Sequence, residues 1–374
     1  MPNKINVDED YFLLDAVKSG KEDKVRNILD NGCYRNLDYK DGNGKTAVHW
    51  ATEYGYIKIA YLLIDSKWNI NLTDEKCQTP LHIACNHRRS DIAMALILAG
   101  CDVNVFDDSG NTPLQRAIHN NLDTVVFMLC ENGALINTSN KNNWTPLHEA
   151  VRVGNKLIVE KLIESEANVN AVTLYKATPF STAIFYYRIA QRNTYPSVDS
   201  VLKKLIYSGC KLSQCDGQWS PLLSAISICN SHIAGLLLYH GCIIDTSMQY
   251  SRNLLVDTFA RCEPAAVKLL VLCGYRLTFQ EVEQCHRRIP TFSRSFRRLV
   301  ASDMKNGTHG VQIMVWLRER AENALSLSEI CRISIRKSLN HGAGDTSILK
   351  NIQHLPLPKC LKQFVSMEEF ENSF

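Results

Sequence analysis

Two clusters of residues resemble, in residue type and spacing, sites that bind a metal ion or a phosphate group. His82, Cys85 and His87 could contribute to a zinc site, and residues 41–46, DGNGKT, end like a loop that binds phosphate groups. The zinc reading has only three candidate ligands, and the phosphate loop has Tyr39 where it needs a glycine five positions before Gly44. Both clusters are better explained as parts of a structural repeat, so we expect no metal and no cofactor.

The cysteines offer a second source of chemistry. The chain has 14 of them, scattered and without any C-x-x-C pair, so a zinc-bound RING is not expected. The N-terminal residues have neither a basic start nor an apolar secretory segment. We therefore expect reduced thiols in a cytoplasmic or nuclear protein, and no particular cysteine stands out as a nucleophile.

Charge and hydropathy exclude further classes. The formal net charge is +4 and 21% of residues are charged. This excess of positive charge is too small to indicate a nucleic-acid-binding protein. The apolar runs at 92–100 and 236–244 are shorter than the ~20 residues that a membrane span needs. We expect neither nucleic acid nor a membrane as partner. Residues 287–298 are rich in arginine, and a solvated helix face explains them better than a binding patch.

A sequence repeat positions most of these residues. Its tetrapeptides are TAVH at 46–49, TPLH at 79–82, TPLQ at 112–115, TPLH at 145–148 and TPFS at 178–181, each 33 residues after the last. Threonine caps a helix with its hydroxyl, and proline fits the first helical turn. A 33-residue period of helix pairs is typical of ankyrin repeats, which this part of the chain resembles. Copies with more divergence follow at 220–223 and near 253–255.

The repeats depart from the ankyrin pattern at particular positions. The turn between paired helices has Gly55 and Gly154, but Arg88 and Asn121 stand in register with them. If that turn keeps a left-handed residue, Arg88 should cost about 1 kcal/mol, while asparagine tolerates the conformation. The motif histidine, which the resemblance places in bonds to neighbouring loops, is replaced by Gln115, among others. We expect local softness and no lost repeat.

The C-terminal residues contain two further apolar patterns. Leu327, Cys331, Ile335 and Leu339 recur every four residues and would form one stripe on a helix. The segment 352–365, IQHLPLPKCLKQFV, holds leucines in an extended stretch stiffened by two prolines before helical spacing resumes. Both patterns need burial against another surface.

This pair of patterns resembles a SOCS box, the suppressor-of-cytokine-signalling box. The resemblance implies that the first half binds elongin B and elongin C and that the second half selects cullin-5, whose RING-box protein supplies the RING. The implied elongin-binding residues are Leu327, Ile330, Cys331 and Ile335. The implied cullin-binding residues are Ile352, Leu355, Pro356, Leu357, Pro358, Leu361 and Phe364.

The whole chain is predicted to be an all-α ankyrin-repeat solenoid followed by a small helical SOCS box. We place a tail at 1–8, seven to eight repeats at 9–300 with an insertion near 186–200, and a connecting helix at 301–325. The box covers 326–374, with its elongin half at 326–339 and its cullin half at 352–365. The terminal repeats are degenerate.

Ankyrin arrays bind proteins through hairpin tips and the exposed ends of their first helices. Stepping these positions through the repeats gives a candidate surface for binding a substrate protein. Its residues are Lys45, Glu53, Tyr54, Asn86, His87, His119, Trp144, Arg152, Tyr186 and Trp219. The two tryptophans could anchor a substrate, because buried aromatic residues often dominate binding energy, or each could pack on the adjacent repeat.

These expectations describe a non-catalytic adaptor of a ubiquitin ligase. The repeats would hold an unidentified target protein while the box recruits the ligase, so that the target is ubiquitinated and degraded by the proteasome. The alternative is an ankyrin scaffold whose C-terminal box caps the array and has no ligase role.

Overall fold

The computed structural model describes residues 8–32, 36, 38–66, 68–189, 198–212, 221–227 and 231–242, together with ten single positions between 256 and 352. The chain divides into two units, Met1–Leu174 and Tyr175–Phe374. All regular elements in the described ranges are helices, which agrees with the all-α prediction. They are α1 (Asp8–Lys18), α2 (Glu22–Asp30), α3 (Ala47–Tyr54), α4 (Ile57–Asp65), α5 (Pro80–Asn86), α6 (Ser90–Leu98), α7 (Pro113–His119), α8 (Asp123–Glu131), α9 (Pro146–Val153), α10 (Lys156–Glu164), α11 (Pro179–Ile189), α12 (Val198–Tyr207), α13 (Pro221–Ser227) and α14 (Ser231–Tyr239).

The first helix of each repeat begins where threonine and proline predict it. Thr79, Thr112 and Thr145 are extended N-caps, and proline is the first residue of α5, α7 and α9. The threonine oxygen accepts the N–H of the third helical residue, whose side chain in turn bonds the threonine N–H. Each such capping box satisfies two amides that a helix start leaves without partners.

The turn between the paired helices uses a left-handed residue in every repeat of the first unit that the structure describes. The φ angles are 74° at Gly55, 56° at Arg88, 58° at Asn121 and 79° at Gly154. Arg88 therefore has the left-handed conformation for which a cost of about 1 kcal/mol is expected. A side chain with a β-carbon holds this conformation because the two helices packed around the turn fix it.

The helices of the first unit pack in two layers. First helices contact first helices, in the order α1, α3, α5, α7 and α9, and second helices α2, α4, α6, α8 and α10 contact each other likewise. A buried leucine in each second helix lies between neighbouring repeats. The set is Leu63, Leu96, Leu129 and Leu162, all fully buried. Burial of each contributes roughly 1.5–3 kcal/mol, which no single repeat could obtain alone.

Hairpin tips connect the repeats on one side of this unit. Glu75 N donates to Asn43 O at 3.2 Å, and Asp108 N donates to Lys76 O at 3.0 Å. A β-carbon on Gly44, whose φ is 71°, would lie 2.9 Å from Glu75 N. Glycine is therefore required at that tip both for its conformation and for the close approach of the next one.

A second polar ladder runs through the repeat histidines. His49 Nε2 lies 3.0 Å from Gln78 O, and His82 Nε2 lies 3.1 Å from Asn111 O. Gln115, which replaces histidine in the next repeat, donates from Nε2 to Trp144 O at 2.7 Å. Glutamine thus makes the same contact to the neighbouring hairpin, and the ladder is not interrupted there.

The second unit continues with shorter stretches that the structure describes. Helix α11 contacts α12 and α13, and α13 contacts α14. Phe180, Leu202, Leu205 and Leu237 are fully buried. The predicted insertion falls largely on 190–197, outside the described residues. Among the helices described, none combines the length and the apolar character that crossing a lipid bilayer requires.

Candidate functional site

Two open pockets lie among the hairpin tips and first-helix ends of the first unit. The larger, called here the proximal pocket, has a volume of about 340 Å³. It is lined by Asn43, Lys45, Glu53, Asp74, Glu75, Lys76, Gln78, Ile83 and His87. The smaller, called here the distal pocket, has a volume of about 170 Å³. It is lined by Asn111, Gln115, Arg116, His119, Asn140, Trp144 and Glu149. Polar side chains therefore dominate both pockets.

The structure brings several of the predicted surface residues together. Lys45, Glu53 and His87 line the proximal pocket, and His119 and Trp144 line the distal one. The remaining candidates are placed as follows: Tyr54 is half exposed beside Trp50, Asn86 and Tyr186 are partly buried, Arg152 bonds Glu149, and Trp219 lies outside the described residues.

The proximal pocket has an internally paired lysine. Lys45 Nζ forms an ion pair with Glu53 and lies 4.6 Å from the centroid of the Trp50 ring. Lys18 Nζ lies 4.4 Å from the same centroid. The positive charge of Lys45 is thus offset by its own repeat, and the pocket keeps Asp74 and Glu75 as additional carboxylates.

Glu149 organises the distal pocket. Its Oε2 accepts the Trp144 indole N–H at 2.9 Å and the Arg152 Nε–H at 3.0 Å, and its Oε1 lies 2.6 Å from His119 Nδ1. Burial acts to raise the pKa of Glu149, but the hydrogen bonds from Arg152 and His119, with their charges, outweigh it and lower that pKa. Glu149 therefore carries a negative charge at neutral pH and fixes three candidate binding residues.

The Trp144 side chain packs within its own repeat, and its role as a substrate anchor stays a prediction. Its side chain is partly buried, and its ring centroid lies 5.3 Å from that of His148. Its indole N–H donates a hydrogen bond to Glu149. Its remaining surface lines the distal pocket. The residue is therefore packed within its own repeat and also presents an oriented aromatic edge.

Sequence reasoning found Glu53 but missed Glu149 in the distal pocket and Asp74 and Glu75 in the proximal one. Glu149 stands in register with Trp50, Ile83 and Arg116, a position whose side chains differ in every repeat. The signal was available, because a repeat position occupied by Trp, Ile, Arg and Glu in turn serves no common packing role. Asp74 was missed for the opposite reason. It recurs every 33 residues with Asp41 and Asp107, and a residue that recurs in this way is expected to be structural.

The two clusters that suggested chemistry have structural roles in this fold. His82 contacts Thr79 through Nδ1 and Asn111 O through Nε2, so both ring nitrogens are occupied. Burial lowers the pKa of His82 and raises that of the Cys85 thiol. The described part of the chain holds no group of His, Cys, Asp or Glu that could bind a metal ion.

The fold and the pockets define a repeat protein of the ankyrin class. A family model described as ankyrin repeats matches in three copies, at residues 13–107, 61–140 and 95–173. A second, described as the SOCS box, matches residues 323–366. The chain thus belongs to the ankyrin repeat and SOCS box family, and this architecture supports a substrate-recognition adaptor of a cullin–RING ligase. No curated protein matches the chain.

The SOCS box indicates binding to elongin B/C and to a cullin scaffold in general. Its residues lie outside the described part of the structure, with the exception of Ile352, which is helical and 1% exposed. The elongin-binding and cullin-binding residues named above therefore remain predictions.

Proposed function

We propose that this chain is the substrate-recognition subunit of a ubiquitin ligase built on elongin B, elongin C, cullin-5 and a RING-box protein. The hairpin tips and first-helix ends of the repeats, called here the groove, hold a target protein. The box connects that target to the ligase. The target is then ubiquitinated and degraded by the proteasome in the cytoplasm. The observation that carries this proposal is the SOCS box at 323–366 in the same chain as an ankyrin array.

In this proposal the chain is not itself an enzyme. Ubiquitin passes from a conjugating enzyme, recruited by the RING-box protein, to a lysine of the target. The chain contributes by holding that lysine near the charged enzyme, which converts a dilute encounter into an effectively intramolecular one.

The groove is prepared for binding before a target arrives. Trp144, His119 and Arg152 are fixed by Glu149, and Lys45 is fixed by Glu53. Side chains that are already ordered lose less conformational entropy on binding, by about 0.5–1.5 kcal/mol for each. This preorganisation supports the assignment of the target surface to the two pockets.

Co-purification tests the ligase connection. The wild-type chain should carry elongins B and C from a co-expressing cell, because Leu327, Cys331 and Ile335 would insert into elongin C. The double variant Leu327→Pro, Cys331→Phe should not carry them. Arg332→Ala is the matched control, since helical spacing predicts that Arg332 faces away from the stripe. This variant should retain both elongins. Absence of elongins from the wild-type protein would overturn the proposal.

The choice of cullin has its own test. Replacing Leu355, Pro356, Leu357 and Pro358 with alanine should abolish cullin-5 binding and leave elongins bound, because the elongin half is untouched. Capture of cullin-5 by this variant at the wild-type level would assign cullin selection elsewhere.

One observation favours the scaffold alternative. Ile352, placed by the resemblance in the cullin half, is buried within this chain. If the box only caps the repeats, Leu327→Pro, Cys331→Phe would lower the melting temperature of the chain expressed alone. In the adaptor, the same change would leave that melting temperature unchanged and remove only the elongins.

A further inference from the structure

Each hairpin of the first three clear repeats has an aspartate at its base. Asp41, Asp74 and Asp107 stand 33 residues apart. In each, Oδ1 accepts two backbone N–H groups of the tip, at 3.0 and 3.0 Å, 2.9 and 2.9 Å, and 2.9 and 2.8 Å. This oxygen closes the turn, and the second carboxylate oxygen is left for other partners.

Two of the three aspartates receive a cation from their own chain. Asp41 Oδ2 bonds Lys18 Nζ at 2.9 Å and the Trp50 indole N–H at 2.8 Å. Asp107 Oδ2 bonds Arg116 through Nε at 2.9 Å and also through Nη2. Trp50 and Arg116 both stand nine positions after the aspartate, on the groove side of a first helix.

The third aspartate has no such partner. Ile83 occupies the position nine residues after Asp74, and across the described ranges no hydrogen bond or ion pair reaches Asp74 Oδ2. Asp74 is 7% exposed and lines the proximal pocket together with Ile83. A carboxylate that is mostly removed from water gains strongly from an oriented cationic partner.

The charges around the pocket favour the same kind of ligand. Its lining has three carboxylates against two lysines, and Lys45 is already paired with Glu53. Glu75, which is exposed, adds a carboxylate beside Asp74. An anionic ligand would meet both acids, whereas a cation would be attracted by them.

We propose that the proximal pocket binds an arginine side chain of the target protein. The guanidinium of that arginine would pair with Asp74 beside the buried Ile83 side chain, as Arg116 pairs with Asp107 one repeat further. Arginine suits this site because its rigid fork gives two oriented donors to one carboxylate. This inference rests on the proposed function only in taking the groove as the surface that holds the target.

Methyl NMR of the full chain, labelled at isoleucine, tests the pocket directly. The probes are the tripeptides acetyl-Gly-Arg-Gly-amide and acetyl-Gly-citrulline-Gly-amide, which differ in charge and little in shape. The Ile83 signal, assigned through Ile83→Val, should shift saturably with the arginine peptide. The citrulline peptide should bind at least about tenfold more weakly, because it lacks the charge-assisted bond. Equal affinities, or no saturable shift with arginine, would overturn the inference.

Asp74→Asn is the matched variant. Asn140 shows that asparagine closes the same turn, since its Oδ1 accepts Asn142 N and Trp144 N at 3.0 Å each. The variant should keep the fold and lose arginine binding about tenfold. Asp102→Asn changes the net charge equally at an exposed loop and should have no effect. The citrulline comparison uses wild-type protein, so it does not depend on how Asp74→Asn folds.

The outcome is separable from that of the proposed function. Asp74→Asn should still carry elongins B and C, because it leaves the box unchanged. A failure of the ligase proposal would appear as missing elongins in the wild-type protein and would leave the peptide comparison unaffected. Equal binding of arginine and citrulline peptides by an elongin-bound wild-type chain would refute only the arginine pocket.

Discussion

At the scale of single residues, Glu149 organises the distal pocket although the repeat pattern does not require a charged residue at its position. Glu149 gathers Trp144, His119 and Arg152 around one buried carboxylate. None of these bonds crosses the hydrophobic core, so the cluster contributes to the shape of the binding surface more than to the fold. Its charge is the property that can be tested.

Glu149→Gln should destabilise the protein by about 1 kcal/mol at neutral pH, because an amide replaces the charged acceptor of partly buried bonds. The pKa of Glu149 is lowered from its ordinary 4.5, so this stabilisation is present above about pH 4.5 and is lost as the pH falls through the lower folded value. Urea unfolding at neutral and acidic pH measures it. The difference between variant and wild type should shrink in acid.

Glu164→Gln is the control for that measurement. Glu164 is exposed at the end of α10, and its substitution should change the free energy of unfolding by less than about 0.5 kcal/mol. A Glu149→Gln variant as stable as this control would show that the cluster is held by other contacts.

At the scale of elements, the repeat depends on a few backbone positions more than on residue identity. The turn between helices stays left-handed whether glycine, arginine or asparagine occupies it. The contact to the next hairpin persists when glutamine replaces histidine. Packing on both sides fixes the geometry, and each substitution adapts to it at a local cost.

Arg88→Gly should raise the free energy of unfolding by about 0.5–1 kcal/mol, since glycine holds a φ of 56° without the strain of a β-carbon. Asn121→Gly should give no gain, because asparagine tolerates this region and its Oδ1 accepts the Asn155 Nδ2–H at 2.8 Å. Gly154→Ala should have the opposite sign. Thermal melting of the three variants measures the order, and an unchanged or lower melting temperature for Arg88→Gly would contradict the explanation.

Element starts were predictable from the sequence, and the groove's chemistry was only partly so. Threonine and proline at 79 and 80 determine a helix start locally, so the pattern predicted it correctly. The repeat motif could not show that the Gln115 amide reaches Trp144 O, a contact 29 residues away. Which carboxylates stay unpaired, such as Asp74, depends on side chains from neighbouring repeats and could not be derived from the motif.

At the scale of the whole molecule, one buried histidine position recurs along the array. His49 and His82 are fully buried, and their ring nitrogens contact backbone groups of their own and the next repeat. Because stacked repeats stabilise each other through such interfaces, a change at this position acts on several interfaces at once. Acid can protonate His49 and His82 over the same range of pH, so both interfaces would be affected together.

Acid should therefore destabilise the array well above the pH at which carboxylates titrate. Burial lowers the pKa of His49 from 6.5 to about 4 and also lowers that of His82. The unfolded chain binds these protons below about pH 6.5 while the folded chain excludes them, so stability is lost as the pH falls from 6.5 towards 4. For His49 alone the loss reaches about 3 kcal/mol, at 1.36 kcal/mol for each unit of pKa.

Thermal melting between about pH 7.5 and 4.5 measures this effect, and the chain provides its own control. Gln115 makes the interface bond without titrating, so the double variant His49→Gln, His82→Gln should keep most of the stability at neutral pH. Its melting temperature should fall less than that of the wild type on acidification. Parallel decline of the two proteins over this range would remove the histidine ladder as the cause of the acid sensitivity.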